Sequence, residues 1–554
     1  MLLNRFMDHT EKIAIRLLFI ISLMPLISLS QPAPLSVPFE HHDHRFREQR
    51  LRTQGHILKH TVVKPELLSK RQFTQCYRDT INSERSWLYR KLFHEHLLSE
   101  KGENWSVQAD PLFDFSLGRE WHGRKTTWLN TRGFQLQGNI GKNIAFYTSL
   151  YENQAFVPEF IDRFIETWTI MPVVPGVGIM PGQGIVKEFN QKGAWDYANA
   201  TGYFSWSPSS LLNFQFGHDR HFIGSGYRSL LLSDISFPYP YFRMQIELGP
   251  FQYTYWLMQH IDPGAQPLSF HLHFRRKYAA LGFLNVHITD RLQAGLFQAL
   301  SWPGDDTIGG SRPPSWQYMN PAVFLHPVHY ASGSEGNLLL GANFQWEPVK
   351  NYFIYGQFLL DELRVREFIR QTGHASNKFG GQLGFKAFDF AGINQLFLQA
   401  EYNAVRPYTY SHINRMSNYA HYLQPLAHPS GANFREFLLI ADYRFDDRWF
   451  LNGKFIYNIA GADTNGINFG SNIFLSYFEA PGGIDATGIR TGQGLRTVLL
   501  HSEFAAGYML NPKTNMRLEI RYILRSQGPD GGKLPTNWLQ IGFRTALRNL
   551  YYDF

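Results

Sequence analysis

Residues 516–525 read Met-Arg-Leu-Glu-Ile-Arg-Tyr-Ile-Leu-Arg, and this stretch decides the fold. Apolar side chains occupy every second position from Met516 to Leu524. Charged side chains occupy the positions between them, and only Ile523 breaks this polar face. A period of two residues predicts a β-strand with one apolar and one polar face. About ten residues is also the length that a tilted strand needs to cross a bilayer.

The same alternation recurs along the chain, most clearly in residues 242–248, 338–346, 396–403 and 449–458. We count roughly 18 to 20 such segments, and bacterial single-chain barrels favour even strand numbers. A soluble sandwich or propeller is the alternative, but a propeller needs a repeated blade motif and the sequence has no internal repeat. The pattern therefore predicts an all-β transmembrane barrel of antiparallel strands. We also expect inward-folded plug loops, because the polar lumens of such barrels are commonly plugged.

The composition agrees with a membrane barrel. Aromatic residues make up 16% of the 554 residues, while the mean hydropathy is only −0.28. Lipid-facing and lumen-facing residues alternate in a barrel, so their hydropathies average out. The formal charge of +8 favours an anionic saccharide or lipopolysaccharide over nucleic acid, because no nucleic-acid-binding motif accompanies it. The single cysteine, Cys76, excludes a disulfide within the chain.

The first 30 residues have the pattern of a secretory signal peptide. Basic residues up to Arg16 precede a short apolar run over residues 17–29, and small residues around it predict cleavage before Gln31. A membrane anchor helix is the alternative, but the run is too short to span a bilayer.

Residues 31–109 are polar and rich in histidine, and they lack the alternation that begins near residue 110. We expect a partly helical periplasmic or lumen-plugging segment here, with a helix over residues 81–98, followed by a barrel over residues 110–554. Neighbouring histidines such as His41, His42 and His44 are weak evidence for a metal site, so no metal or cofactor is predicted.

A first polar cluster follows a predicted strand and contains His218, Asp219 and Arg220. Such side chains at the barrel mouth or in the lumen would grip sugar hydroxyls or anionic groups. The alternative is a network that braces an inward-folded loop, and we favour it because the polar lumens of such barrels are commonly plugged.

A second cluster lies in the long loop 404–433 and has the composition of a carbohydrate site, since aromatic rings stack on sugar faces and histidines donate directed hydrogen bonds. Its predicted polysaccharide-binding residues are Tyr408, Tyr410, His412, Tyr419, His421 and Tyr422. The alternative is self-packing, and we favour it because long ordered loops need a small core of their own. Counting strands back from the C-terminus puts this loop in the periplasm, unless a strand is miscounted or the loop folds into the lumen.

Three further features complete the sequence predictions. The apolar Gly/Pro run 171–184 should fold inward or lie at the membrane interface. The strand phase slips near Arg548, which predicts a bulge or a short tail after the last strand. Neither Gly-x-Ser-x-Gly nor His-Glu-x-x-His occurs, so we predict no enzyme, although a non-contiguous triad stays open.

Three stretches carry a family resemblance: residues 214–224 with 226–234, residues 418–433, and the ending 547–554. Together they resemble the Wzi-like capsule-assembly family, and within it the Bacteroidota branch associated with gliding motility, the RemB-like proteins. The resemblance spans residues 110–554, and its motifs carry no known chemistry.

This resemblance implies an outer-membrane barrel of about 18 strands that is closed by inward loops. It also implies a non-enzymatic role in surface polysaccharide attachment, in capsule assembly or in gliding motility. The expected partners are outer-membrane lipid or lipopolysaccharide, surface polysaccharide, and proteins of a motility or secretion machinery. A transport pore or a barrel-embedded enzyme is the alternative.

Overall fold

The structure is a computed structural model that describes most of the chain. The described residues are 35–54, 58–68, 85–168, 170, 173–267, 274–305, 313–321, 325–333, 336–446, 448–529 and 534–554. The predicted signal peptide and Cys76 lie outside them.

Long antiparallel strands, 18 among the described residues, form a closed barrel. They are β1 Trp105–Glu120, β2 Lys125–Ile140, β3 Ile144–Phe156, β4 Gln191–Ser209, β5 Leu212–Asp219, β6 Tyr239–Leu248, β7 Phe251–Asp262, β8 Arg275–Thr289, β9 Leu292–Pro303, β10 Asn337–Val349, β11 Tyr352–Glu362, β12 Lys378–Ala387, β13 Leu396–Val405, β14 Phe434–Arg444, β15 Trp449–Ala462, β16 Leu495–Asn511, β17 Met516–Pro529 and β18 Leu534–Arg544. The helices are α1 His41–Thr53, α2 Trp87–Phe93, α3 Glu159–Thr167, α4 Leu325–Ser332 and α5 Val365–Ile369.

Each strand pairs with the next, and β18 pairs with β1 to close the barrel, with Phe543 opposite Phe115. The predicted fold class is therefore confirmed. The barrel begins at Trp105, ahead of the predicted boundary at residue 110. No described helix is long and apolar enough to cross a membrane.

The strand alternation is confirmed in β17. Leu518 and Ile520 point outward and are 49% and 44% exposed, while Arg517 and Arg525 are buried in the lumen. Ile523, which breaks the polar face in the sequence, is fully buried in a cluster with side chains of α3. The break in the alternation at Ile523 therefore marks the position where the wall contacts helix α3.

The two ends of the barrel differ. At the short-turn end, tight turns join neighbouring strands, such as 210–211, 249–250, 290–291 and 350–351. At the long-loop end, the connections include 157–190, 220–238, 406–433 and 463–494. Exposed aromatic residues lie on the outer surface near the short-turn end, as in the interfacial belts of membrane barrels. They are Trp105, Trp206, Phe251, Trp346 and Trp449.

Candidate functional site

Several segments fold into the lumen and form a plug, which we define as loops 220–238 and 406–433, helices α1 and α3, and the tail 545–554. The two loops meet inside the barrel. The hydroxyls of Tyr410 and Tyr419 donate to the carbonyl oxygens of Leu230 and Leu231, each at 2.8 Å. The amide of Leu230 donates to Gln357 on the wall at 2.8 Å. These contacts fasten the loops to each other and to the barrel.

A buried ionic node connects the plug to the wall. Arg228 of the first loop lies 3.2 Å from Glu436 on β14 and 3.4 Å from Asp553 in the tail. Lys454 on β15 lies 2.8 Å from Asp553 and 2.9 Å from Glu503. Burial alone would raise the pKa of Asp553, but Arg228 and Lys454 hold it well below its usual value. Asp553 therefore keeps its charge, and the node joins loop, wall and tail.

The first predicted cluster braces the plug. Asp219 accepts a hydrogen bond from the amide of Arg220 at 2.8 Å. The Arg220 guanidinium donates to the carbonyl oxygens of Gly182 and Asp234, each at 3.3 Å. The His218 ring centre lies 6.1 Å from that of Phe237. These contacts match the bracing network that the sequence analysis favours for this cluster.

The second predicted cluster is largely buried. Tyr410, Tyr419 and His421 are at most 1% exposed. His421 accepts a hydrogen bond from the amide of Ile261 at 2.9 Å, and burial lowers its pKa to about 3. The half-buried Tyr422 packs against the Phe237 ring, with centres 4.6 Å apart. The cluster forms an internal core with a neutral imidazole.

The two remaining members of this cluster stand apart from that core. Tyr408 is 1% exposed and donates to the carbonyl oxygen of Asn468 at 3.0 Å. His412 is only half-buried, and its ring accepts from the amide of Asn414 at 3.2 Å.

The predicted clusters meet inside the barrel through Phe237, which contacts His218 on one side and Tyr422 on the other. Loop 406–433 leaves the wall at the same end as loop 220–238, so the strand count that placed it at the opposite end is wrong. The burial of its residues favours self-packing. Polysaccharide contact by the nine predicted residues stays a prediction, and for the buried ones it would require the plug to open.

The apolar Gly/Pro run folds inward as predicted over its described part. A strand at Val177–Met180 pairs with one at Gly184–Phe189. Ile179 is fully buried and belongs to the same core as Leu230. Residues 171 and 172 lie outside the described part.

Helix α1 of the histidine-rich segment lies in the lumen at the short-turn end. His41 lies 3.0 Å from the Tyr551 hydroxyl, and His44 lies 2.9 Å from Glu66. Glu48 forms an ion pair with Lys386 at 3.2 Å. Among the described residues, no group of three or more histidine, cysteine or acidic side chains could hold a metal ion. The described histidines of α1 therefore serve as plug contacts.

The tail enters the lumen after β18 ends at Arg544. Arg548 lies 3.3 Å from Asp114 and donates to Asn153 at 2.9 Å. The Phe554 ring packs against Phe164 of α3, with centres 4.7 Å apart. The slip of phase near Arg548 therefore marks a tail, and the terminal aromatic residue lies on an internal surface.

The sequence interpretation missed an exposed patch at the long-loop end, the α5 patch, formed by Arg364, Arg366, Phe368, Ile369 and Arg370. Phe368 and Ile369 are 49% and 74% exposed. Arg364 is anchored by Asp485 at 2.8 Å, and Arg366 and Arg370 are exposed. Three arginines within seven positions were the available signal, but nothing in the sequence alone placed them on the surface.

Comparison with known proteins shows a similarity in fold but none in sequence family. No protein-family model matches the sequence, and no curated protein matches it. The structure is similar to Wzi of Escherichia coli, described as an outer membrane protein involved in group 1 capsule assembly and a carbohydrate-binding β-barrel. The TM-score is 0.51 at 14% identity, over 93% of this chain and 99% of Wzi.

The protein is an outer-membrane β-barrel. Its predicted localisation is thereby confirmed, and the long-loop end is extracellular, since short turns are periplasmic in such barrels. Lower-scoring matches to this outer-membrane barrel include OprD of Pseudomonas aeruginosa, with a TM-score of 0.40 at 10% identity over 81% of this chain and 98% of OprD. OccAB2 of Acinetobacter baumannii matches with a TM-score of 0.42 at 10% identity, over 80% and 98%.

Proposed function

We propose that this outer-membrane barrel is a non-enzymatic surface protein that attaches or helps assemble an anionic polysaccharide. The observation that carries the proposal is the plug inside the lumen. The plug combines an apolar core with a buried ionic node, which favours a surface-binding role over an open transport pore. The fold shared with Wzi, itself a carbohydrate-binding barrel involved in capsule assembly, supports the same function.

The α5 patch is the surface that we propose for this contact. Guanidinium groups bind carboxylates through paired, charge-assisted hydrogen bonds. An exposed ring such as Phe368 can cover an apolar sugar face. The patch lies at the extracellular end, and the formal charge of the chain is +8. Placement in the motility-associated branch, and a role in gliding, rest on the sequence resemblance alone and stay predictions.

A glycan-binding assay on purified protein tests the proposal. The parent should bind its own cell's surface polysaccharide weakly, and added salt should weaken the binding because exposed charges are screened. Replacing Arg366 and Arg370 together with alanine should weaken binding about tenfold, which corresponds to ~1.4 kcal/mol.

The matched control removes the same charge from the periplasmic end. Arg291 and Lys350 are exposed there, so R291A/K350A should bind like the parent. If both double variants bind equally, the site lies elsewhere on the surface. A parent that binds no polysaccharide at low salt refutes the proposed function.

A further inference from the structure

Helix α5 lies against the outer side of the barrel wall. In β12, Gln382 faces the lumen, because its side chain donates to the carbonyl oxygen of Arg228 in the plug at 3.0 Å. By strand alternation, Phe379 of the same strand faces outward. The Phe368 ring of α5 packs against the Phe379 ring, with centres 5.8 Å apart. Since Phe379 is the second residue of β12, the α5 patch stands on the outer rim of the extracellular end.

A further arginine lies on the same rim. In β12 to β15, whose residues are all described, Arg435 is the one outward-facing side chain that carries a charge. It is the second residue of β14 at the extracellular end, and the outward-facing Phe437 and Leu439 below it are exposed. A charge at the top of an apolar, lipid-facing row lies at the level of the lipid headgroups.

The strand register places Arg435 close to the α5 patch. Arg435 pairs with Ala404 of β13, and Ala404 pairs with Gly381 of β12. Two strand spacings amount to roughly 10 Å. Gly381 is in turn two residues from Phe379, on which α5 packs. Arg435 and the α5 patch therefore border one short stretch of the rim.

The positive charge of this rim is not compensated within the described part of the chain. No described acidic side chain forms an ion pair with Arg366, Arg370 or Arg435. Glu367, the acidic residue of α5, instead accepts from the Thr372 hydroxyl at 3.1 Å. The loops that leave this part of the wall, 363–377, 406–433 and 463–494, are described in full. The rim therefore presents three positive charges to the outer leaflet.

We propose that Arg366, Arg370 and Arg435 bind the phosphate groups of an outer-leaflet glycolipid, whose acyl chains pack on the apolar wall below Arg435. Guanidinium groups bind phosphate through paired, charge-assisted hydrogen bonds. A membrane lipid is the ligand that brings anionic groups and apolar chains to this height together. The inference rests on the proposed function and specifies it, because the polysaccharide is then held at its lipid-anchored end.

Three forms of one ligand test the inference. The probe is the lipopolysaccharide of the cell's own outer membrane, used intact, after removal of its phosphate groups, and after removal of its acyl chains. The purified full-length protein in detergent should bind the intact form most tightly. Removal of either the phosphate groups or the acyl chains should weaken binding about tenfold.

Arg435→Ala separates this contact from the polysaccharide contact of the α5 patch. The variant should bind the intact form about tenfold more weakly. It should bind the free polysaccharide like the parent, since Arg435 faces the lipid side of the wall. Arg132→Ala is the matched control, because Arg132 is also exposed on the outer face but lies on β2 opposite Glu152. The control should bind all forms like the parent, and both variants should keep the heat-modifiable band of a folded barrel.

Equal binding of the intact and dephosphorylated forms would overturn the inference, and so would an Arg435→Ala variant that binds the intact form like the parent. If the parent binds the deacylated form as tightly as the intact one, the lipid contact is wrong and the proposed function stands. A parent that binds none of the three forms, and no free polysaccharide, defeats the inference and the proposed function together.

Discussion

The outer wall and the plug of this barrel obey different rules. On the wall, Leu518 and Ile520 need only contact with lipid, and the strand pattern that supplies it is local. In the plug, Arg228 finds its partner Asp553 at a distance of 325 residues along the chain. The wall is therefore specified by alternation, whereas the plug is specified by individual pairs between remote segments.

This difference predicts different sensitivities to substitution. A wall residue contributes through the transfer of one side chain into lipid. The destabilisation caused by substituting it therefore scales with the change in that single side chain. A plug residue usually leaves a buried partner without a hydrogen bond or a counter-charge, which costs more than the contact itself contributed. Substitutions in the two regions can separate these effects.

The largest effect is expected for the core of loop 406–433. Replacing Tyr419, His421 and Tyr422 together with alanine removes two rings and one buried acceptor, and we expect the local free energy of opening to fall by about 5 kcal/mol. Hydrogen exchange of this loop should accelerate strongly while the barrel still forms. Ile413→Ala, at an exposed position of the same loop, is the control and should exchange like the parent.

An unchanged exchange rate in that triple variant would mean that the loop is held by its ends alone. The buried contacts described for Tyr419 and His421 would then contribute nothing to the plug.

The next effect concerns the ionic node. Arg228→Ala leaves Glu436 and Asp553 buried without their main cation, which we expect to cost about 3–5 kcal/mol of plug stability. The measurement is protease resistance of loop 220–238 in the folded barrel. Arg435→Ala is the matched control, since Arg435 neighbours Glu436 in sequence but is exposed on the outer face. Equal resistance of the two variants would contradict a special role for the node.

A smaller effect is expected on the wall. Ile520→Arg places a charge on the lipid face of β17, and we expect about 2–4 kcal/mol of barrel destabilisation if the position is near the bilayer midplane. Denaturant unfolding in lipid vesicles measures it, and the plug should retain its protease resistance. If the variant lost the protease resistance of the plug before the wall unfolded, the wall and the plug would not respond independently to substitution.

The contrast also explains what could be predicted from the sequence. Alternation over residues 516–525 revealed the wall, because each strand face is determined by its own residues. It could not explain Ile523, because this residue packs against helix α3, which is remote from it in the sequence. The sequence favours a loop core for Tyr410 and Tyr419 but leaves a sugar site open, since composition does not report burial.

The loop between β9 and β10 shows the same limit of local pattern. Residues 313–333 are uncharged in the sequence, but only the register of β7 and β8 shows that the described residues 313–321 pack on the outer wall. The α5 patch likewise needed the loop's position at the extracellular end. The individual strands were therefore readable from local alternation, although the strand count misplaced loop 406–433, and the α5 patch could be located only from the three-dimensional structure.

Conductance in planar bilayers tests the plugged-barrel account most directly. Purified parent protein at neutral pH should give no steady channel current, and Arg228→Ala should give intermittent openings because its plug is released from the wall. A steady open-channel current from the parent would contradict the account, since it would show that the lumen is an open pore and that the protein is better understood as a transporter.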